Sequence, residues 1–148
     1  MDNENTLKAR DEHAEQVALF RWADVAQMRY PELALLYAIP NGGHRHIQVA
    51  RKLKAEGVKR GVPDICMPVP RGSWCGLYIE LKTASGAVSK VQRGWLKALQ
   101  NQGHRVAVCR GWEPARIFIE EYLATGTDAG RCLGHKHGPR NGASDEHE

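Results

Sequence analysis

Nowhere in the 148-residue chain do about eighteen apolar residues run together, and its first thirteen, MDNENTLKARDEH, are polar and mixed in charge. Neither a membrane-spanning helix nor a secretory leader is expected. The four cysteines, Cys66, Cys75, Cys109 and Cys132, make no CxxC pair, and three of them sit in apolar or strand-like surroundings where a free thiol behaves as a small hydrophobe. A reduced, intracellular protein of the cytoplasm is the simpler expectation. No internal repeat is visible. After Gly126 any periodic apolar face is also missing from TDAGRCLGHKHGPRNGASDEHE, so 126–148 reads as a disordered polar tail. Its Cys132, His135 and His137 lack a fourth ligand at the spacing a zinc site needs.

What is present suits one domain over residues 6–125. A hydrophobic share of 42% with 26% charged residues is ordinary for a globular chain, and a net charge of +4 tilts it towards polyanionic partners. Thr6 to Tyr30 is rich in helix formers, has no glycine or proline, and stops at Pro31; Val17, Phe20, Trp22, Ala23 and Ala26 form its apolar stripe. Leu33 to Ile39 is a short apolar run closed by Pro40 and the turn residues Asn41, Gly42 and Gly43, which predicts a buried strand. His44 to Glu56 reads as a helix ended by Gly57. Two strands follow, Asp64 to Val69 and Leu77 to Lys82, separated by the hairpin loop PRGSWCG. Ser89 is a suitable N-cap for a helix over Lys90 to Gln102, with a strand at Arg105 to Cys109 and a last helix at Glu113 to Leu123. The order predicts an α/β fold around a small mixed sheet.

Three charges interrupt the two central strands. With the loop centred near Gly72, residues whose numbers sum to about 144 face each other, which sets Asp64 opposite Glu80. Strand periodicity puts Lys82 on the face of Glu80. Two carboxylates that close are costly unless a cation neutralises them, and a hard divalent ion such as Mg²⁺ takes oxygen ligands. Such a cluster suits phosphodiester hydrolysis, with Asp64 and Glu80 on the metal and Lys82 orienting or deprotonating a water. The plainer alternative makes Glu80 and Lys82 an exposed strand pair and Asp64 the cap of a turn after Pro63.

G-V-P-D at 61–64 with E-L-K at 80–82 resembles the PD-(D/E)XK nuclease motif. The wider pattern resembles its VRR-NUC branch in a phage-type single-domain form. That pattern comprises the first-helix Glu12 and Gln16, I-P-N-G-G at 39–43, K-L-K-A-E-G-V-K-R-G-V-P-D at 52–64, Y-I-E-L-K, then Gln92 and Trp95, and H-R-V-A-V-C-R-G at 104–111. The resemblance implies a restriction-endonuclease-like fold, dependence on Mg²⁺ or Mn²⁺, and action on structured DNA such as four-way junctions or flaps. It makes Asp64 and Glu80 metal ligands, the main-chain carbonyl of Leu81 a further ligand, and Lys82 the catalytic lysine. Gln92 matches the glutamine on the following helix. Glu12 matches the first-helix acid, with Glu15, three residues on and on nearly the same face, as the alternative.

From His44 to Arg60 the chain carries Arg45, Arg51, Lys52, Lys54, Lys59 and Arg60 against the single acid Glu56. Just ahead of Asp64, this run reads as a phosphate-binding rim, and otherwise as a solvated helix face. Asn41 and Arg45 belong to a turn that could approach a phosphate. His44 and His46, beside arginine, suit a surface better than a metal pair. Trp22 and Trp95 occupy core-like helix positions, while Trp74 at the hairpin tip could stack on DNA or cap the core. The chain is expected to be a structure-selective DNA endonuclease resembling a Holliday-junction resolvase, working as a homodimer because a junction has two-fold character. A flap, nicking or end-processing nuclease and a non-catalytic nucleic-acid-binding module are the alternatives.

Overall fold

In a computed structural model of the protein, residues 2–41 and 46–127 are described, with side chains from residue 12 onward. The first helix, α1 (Asp2–Ala26), starts earlier than the sequence suggests. It buries Leu19 and Ala23 outright and packs Phe20, Trp22 and Ala26 against the same core, an inward stripe at helical spacing. The expected strand over Leu33 to Ile39 does not form. Pro31–Leu35 wind into a 3₁₀ helix that buries Leu33, and only Tyr37 and Ala38 pair as β1 (Tyr37–Ala38), both exposed. Proline supplies the reason: its fixed φ and missing N–H suit the first turn of a helix and not a ladder.

The helix α2 (Ile47–Ala55) begins after the expected start, and none of its residues is buried. Positions 42–45, including His44 and Arg45, lie outside the described residues. The strands β2 (Ile65–Met67) and β3 (Leu77–Lys82) pair antiparallel with Ile65 opposite Ile79, Cys66 opposite Tyr78 and Met67 opposite Leu77. This is the register expected from the loop centre, and its next step brings Asp64 level with Glu80. A crossover through α3 (Lys90–Asn101) returns the chain to β4 (Arg105–Arg110), parallel to β3, before α4 (Trp112–Ala124). The sheet order is β1-β2-β3-β4. Its core face, with Ile65, Met67, Leu77, Ile79 and Leu81, packs on Leu19 of α1 and on Ala115 and Ile119 of α4. Each such Leu, Ile or Met contributes roughly 1.5–3 kcal/mol by leaving water.

Cys66 and Cys109 are buried free thiols, whereas Cys75 is disulfide-bonded, so the expectation of a reduced chain holds for the two sheet cysteines only. Trp74 is not free for stacking: it packs against the core, and the guanidinium of Arg105 lies 5.5 Å over its ring. The Gly126 carbonyl accepts from the Gly72 amide at 2.7 Å, tying the hairpin loop to the chain beyond α4. The remainder of the expected tail, 128–148, lies outside the described residues. No described helix is long and apolar enough to cross a membrane.

Candidate active site

Alternation along β3 sends Leu77, Ile79 and Leu81 to the core and Tyr78, Glu80 and Lys82 to the opposite face. The two charged residues are not an exposed pair: Glu80 is 1% and Lys82 8% accessible. Glu80 Oε1 accepts from Gln92 Nε2 and lies 2.9 Å from Lys82 Nζ. Its second oxygen, Oε2, is buried with no hydrogen-bond partner among the described residues. Leaving such an atom unsatisfied costs roughly 1–3 kcal/mol, a deficit that applies to the carboxylate form of Glu80. Asp64 is fixed across the hairpin, its Oδ2 accepting from the Leu81 amide at 2.7 Å.

The electrostatics follow from this enclosure. Burial, then the charge of Asp64, pushes the Glu80 carboxyl up to about 7, with Lys82 working against the rise and Glu12 adding to it. Burial likewise raises Asp64, opposed by the Leu81 N–H, by Lys82 and by a hydrogen bond from Glu80 when that carboxyl is protonated, and reinforced by Glu12. For Lys82 burial disfavours the ammonium, but the hydrogen bond and charge of Glu80, with Glu12 and Asp64 behind them, outweigh it and hold the group above its ordinary value. Lys82 is therefore a cation in this setting.

Helix α3 holds both halves of the acidic motif. Ser89 caps it, accepting from the Gln92 amide at 3.2 Å, while Gln92 Oε1 accepts from the Ser89 amide at 2.8 Å. With its acceptor end used for the cap, Gln92 has its donor end free for Glu80. One turn on, Trp95 Nε1 donates to the Arg60 carbonyl at 3.0 Å, pinning the G-V-P-D segment to the helix. Gly61 between them has φ +83°, and a Cβ there would stand 2.5 Å from Val91 Cγ1. Only glycine meets both conditions.

The first-helix acids go to different places. Glu12 Oε1 lies 3.7 Å from Lys82 Nζ, beside the cluster. Glu15 Oε2 accepts from the Trp112 amide at 2.7 Å, at the N-terminus of α4 where a carboxylate is favoured. Sequence reasoning gave Arg110, in the H-R-V-A-V-C-R-G segment, no role. Its Nη1 donates to the carbonyls of Thr83 at 2.9 Å, Ala84 at 3.2 Å and Gly86 at 2.7 Å, bracing the loop that follows Lys82. Its position beside Lys82 in the parallel ladder was the available signal.

Of the basic run, Arg51, Lys52, Lys54, Lys59 and Arg60 are all exposed. Lys52 lies 3.9 Å from Glu56; the other four have no ion pair among the described residues. Asn41 donates its side-chain amide to the Val62 carbonyl, tying its turn to the G-V-P-D segment.

Among the described residues no three His, Cys, Asp or Glu side chains are gathered as a ready metal cluster. The Lys82 ammonium stands between Glu80 and Glu12 instead. The donor chemistry nonetheless fits a hard divalent cation: a partnerless buried Glu80 Oε2, the Asp64 carboxylate and main-chain carbonyl oxygen are the ligand types Mg²⁺ and Mn²⁺ take.

A solved structure described as a VRR_NUC domain protein shares this architecture at a TM-score of 0.68 and 24% identity, covering 78% of this chain and 90% of that one. Among curated proteins no match is found. The VRR-NUC domain model matches residues 9–113, which takes in Glu12, the G-V-P-D and E-L-K segments, Gln92 and Arg110 and spans well over half of the sequence: the chain belongs to the VRR-NUC family of nuclease domains.

Proposed function

We propose that the protein is an Mg²⁺- or Mn²⁺-dependent DNA endonuclease that hydrolyses phosphodiester bonds with selectivity for branched structures, as a Holliday-junction resolvase does. The observation that carries this reading is the divided state of Glu80: one oxygen is held by Gln92 and Lys82, while the other is buried and unpartnered beside a second carboxylate. Among the described residues Thr83 Oγ1 and His104 Nδ1 are buried without a partner too; what sets Glu80 Oε2 apart is the second carboxylate beside it, with Gln92 and Lys82 holding the other oxygen. Asp64, Glu80, the Leu81 carbonyl and Glu12 would hold the cation, which supplies positive charge to the phosphate as its own negative charge builds in the transition state and acidifies the attacking water.

The chain's own groups do the rest. Gln92 keeps Glu80 in one orientation. Lys82, held as an ammonium, is a donor and not the base expected for the water: it would donate to a phosphate oxygen and offset charge there, while the proton of the acidified water passes to solvent. Arg51, Lys54, Lys59 and Arg60, exposed and without ion pairs among the described residues, offer phosphate contacts, which fix orientation and leave selectivity to DNA shape. A homodimer belongs to the same reading, since two matched sites suit the paired strands of a junction.

The test is cleavage of labelled four-way junction, flap, linear duplex and single strand in Mg²⁺, Mn²⁺ or EDTA, with Asp64→Ala and Glu80→Ala alongside and sedimentation to read the oligomeric state. Cleavage of the junction in either metal, none in EDTA, and a loss of at least about 10³-fold in both variants are expected. Undiminished cutting by the variants would remove the catalytic assignment. Salt-sensitive binding with no cutting under any condition would favour a binding module.

A further inference from the structure

Beside the cluster lies a pocket of about 270 Å³ that the chemistry above does not use, walled by Ile39, Pro40, Val58, Val62 and Trp95 with Lys59 at its edge. We propose that it seats one unstacked nucleobase of the DNA strand next to the cleaved phosphate; this rests on the nuclease reading and adds a site to it.

Four observations converge. First, the walls are hydrocarbon and indole, and their nearby polar ends are engaged. The Asn41 amide goes to the Val62 carbonyl and the Trp95 N–H to the Arg60 carbonyl. Apart from the side-chain carbonyl oxygen of Asn41, which also lines the pocket and has no partner among the described residues, the pocket offers only apolar faces, which take the ring of any base. Second, among the described residues it is open: Val58 is 42% exposed, α2 buries no residue, and a Cβ on Gly57, which also lines the pocket, would meet none of them within 4 Å. Third, the edge is cationic. Lys59 and the adjacent Arg60 are exposed and have no ion pair among the described residues. An apolar hollow flanked by free cations complements a nucleotide, whose ring is flat and apolar and whose backbone is anionic. Fourth, the walls are those of the cluster. Val62 stands two residues before Asp64, and Trp95 one turn after Gln92. The volume falls below the roughly 300 Å³ at which sites for drug-sized ligands begin, a size for one ring system rather than a base pair.

The experiment measures anisotropy of a labelled four-way junction in EDTA, with successive nucleotides on each side of the branch replaced one at a time by an abasic site. Wild-type protein is expected to lose about tenfold in affinity at one position and little elsewhere. Val58→Trp, a change at an exposed residue that fills the pocket without altering charge, should weaken the intact junction by a similar factor. It should leave the junction lacking that base unaffected. If every abasic junction binds as the intact one does, while intact junction is still cut in Mg²⁺, the base seat is wrong and the nuclease reading stands. If no DNA is bound or cut, the nuclease reading falls and the seat with it. A changed sedimenting mass for Val58→Trp would make the pocket a contact between copies and overturn the proposal. A melting curve for Val58→Trp confirms that it is folded.

Discussion

Glu80 holds a charge where the surroundings resist it, and this has a consequence for stability apart from any reaction. The group titrates at about 7 in the fold against 4.5 when unperturbed, because burial and Asp64 disfavour its carboxylate. The folded state therefore binds this proton more tightly than the unfolded chain. The stability it contributes is fully present below pH 4.5 and is lost as pH rises through about 7, a swing of at most ~3 kcal/mol. In EDTA, the wild type is expected to melt lower at pH 8 than at pH 5. Glu80→Gln should melt higher than wild type at pH 8, with a flatter pH profile, and adding Mg²⁺ at pH 8 should raise the wild type but not the variant. Parallel pH profiles for the two proteins would show that Glu80 is not the strained group. The facing of Asp64 and Glu80 was legible in the sequence because hairpin register reduces to counting from the loop. The duties of Glu15 and Arg110 were not. They depend on how α1 meets α4 and how the 83–86 loop folds back, which no local spacing encodes.

At the level of elements, α3 is the part that makes the site a unit, through Gln92 on one side and Trp95 on the other. Gly61 is the point where the G-V-P-D segment passes closest to it. Gly61→Ala should cost roughly 2–4 kcal/mol, combining a left-handed φ with contact against Val91. Adding Val91→Ala should return the steric part while leaving the backbone part, roughly 1–2 kcal/mol. Denaturant midpoints of the two variants test this, and no recovery in the double variant would place the whole cost in the backbone. The helix itself was legible because Ser89 and Gly103 mark its ends chemically. Where marking was weaker, the reading failed: LALLYAI has the composition of a strand, but the proline ahead of it starts a 3₁₀ turn and leaves two residues for β1.

For the molecule as a whole, charge distribution matters more than the total of +4. Because Lys59 and Arg60 have no ion pair among the described residues, both are available to displace counterions from phosphate. Lys59→Ala combined with Arg60→Ala should lower the slope of log affinity against log salt by about 2, whereas Lys52→Ala, whose charge is shared with Glu56, should change it by less than about 1. Titrations of a junction in EDTA over a salt series measure both. An unchanged slope in the double variant would move the DNA path away from this edge.

The bond between Glu15 and the Trp112 amide joins residues 97 positions apart in the chain, and Glu12, on the cluster, is one turn from Glu15 on the same helix. A ribosome makes α1 first and α4 last. Leu19 and Ala23 can seat α1 on the 3₁₀ turn and the sheet beforehand, but the bond that ties down Glu15, one turn from Glu12, forms only once α4 emerges and docks. The helix made first thus gets its last anchor from the helix made last, and a growing chain lacks that anchor until nearly all of its domain has left the exit tunnel.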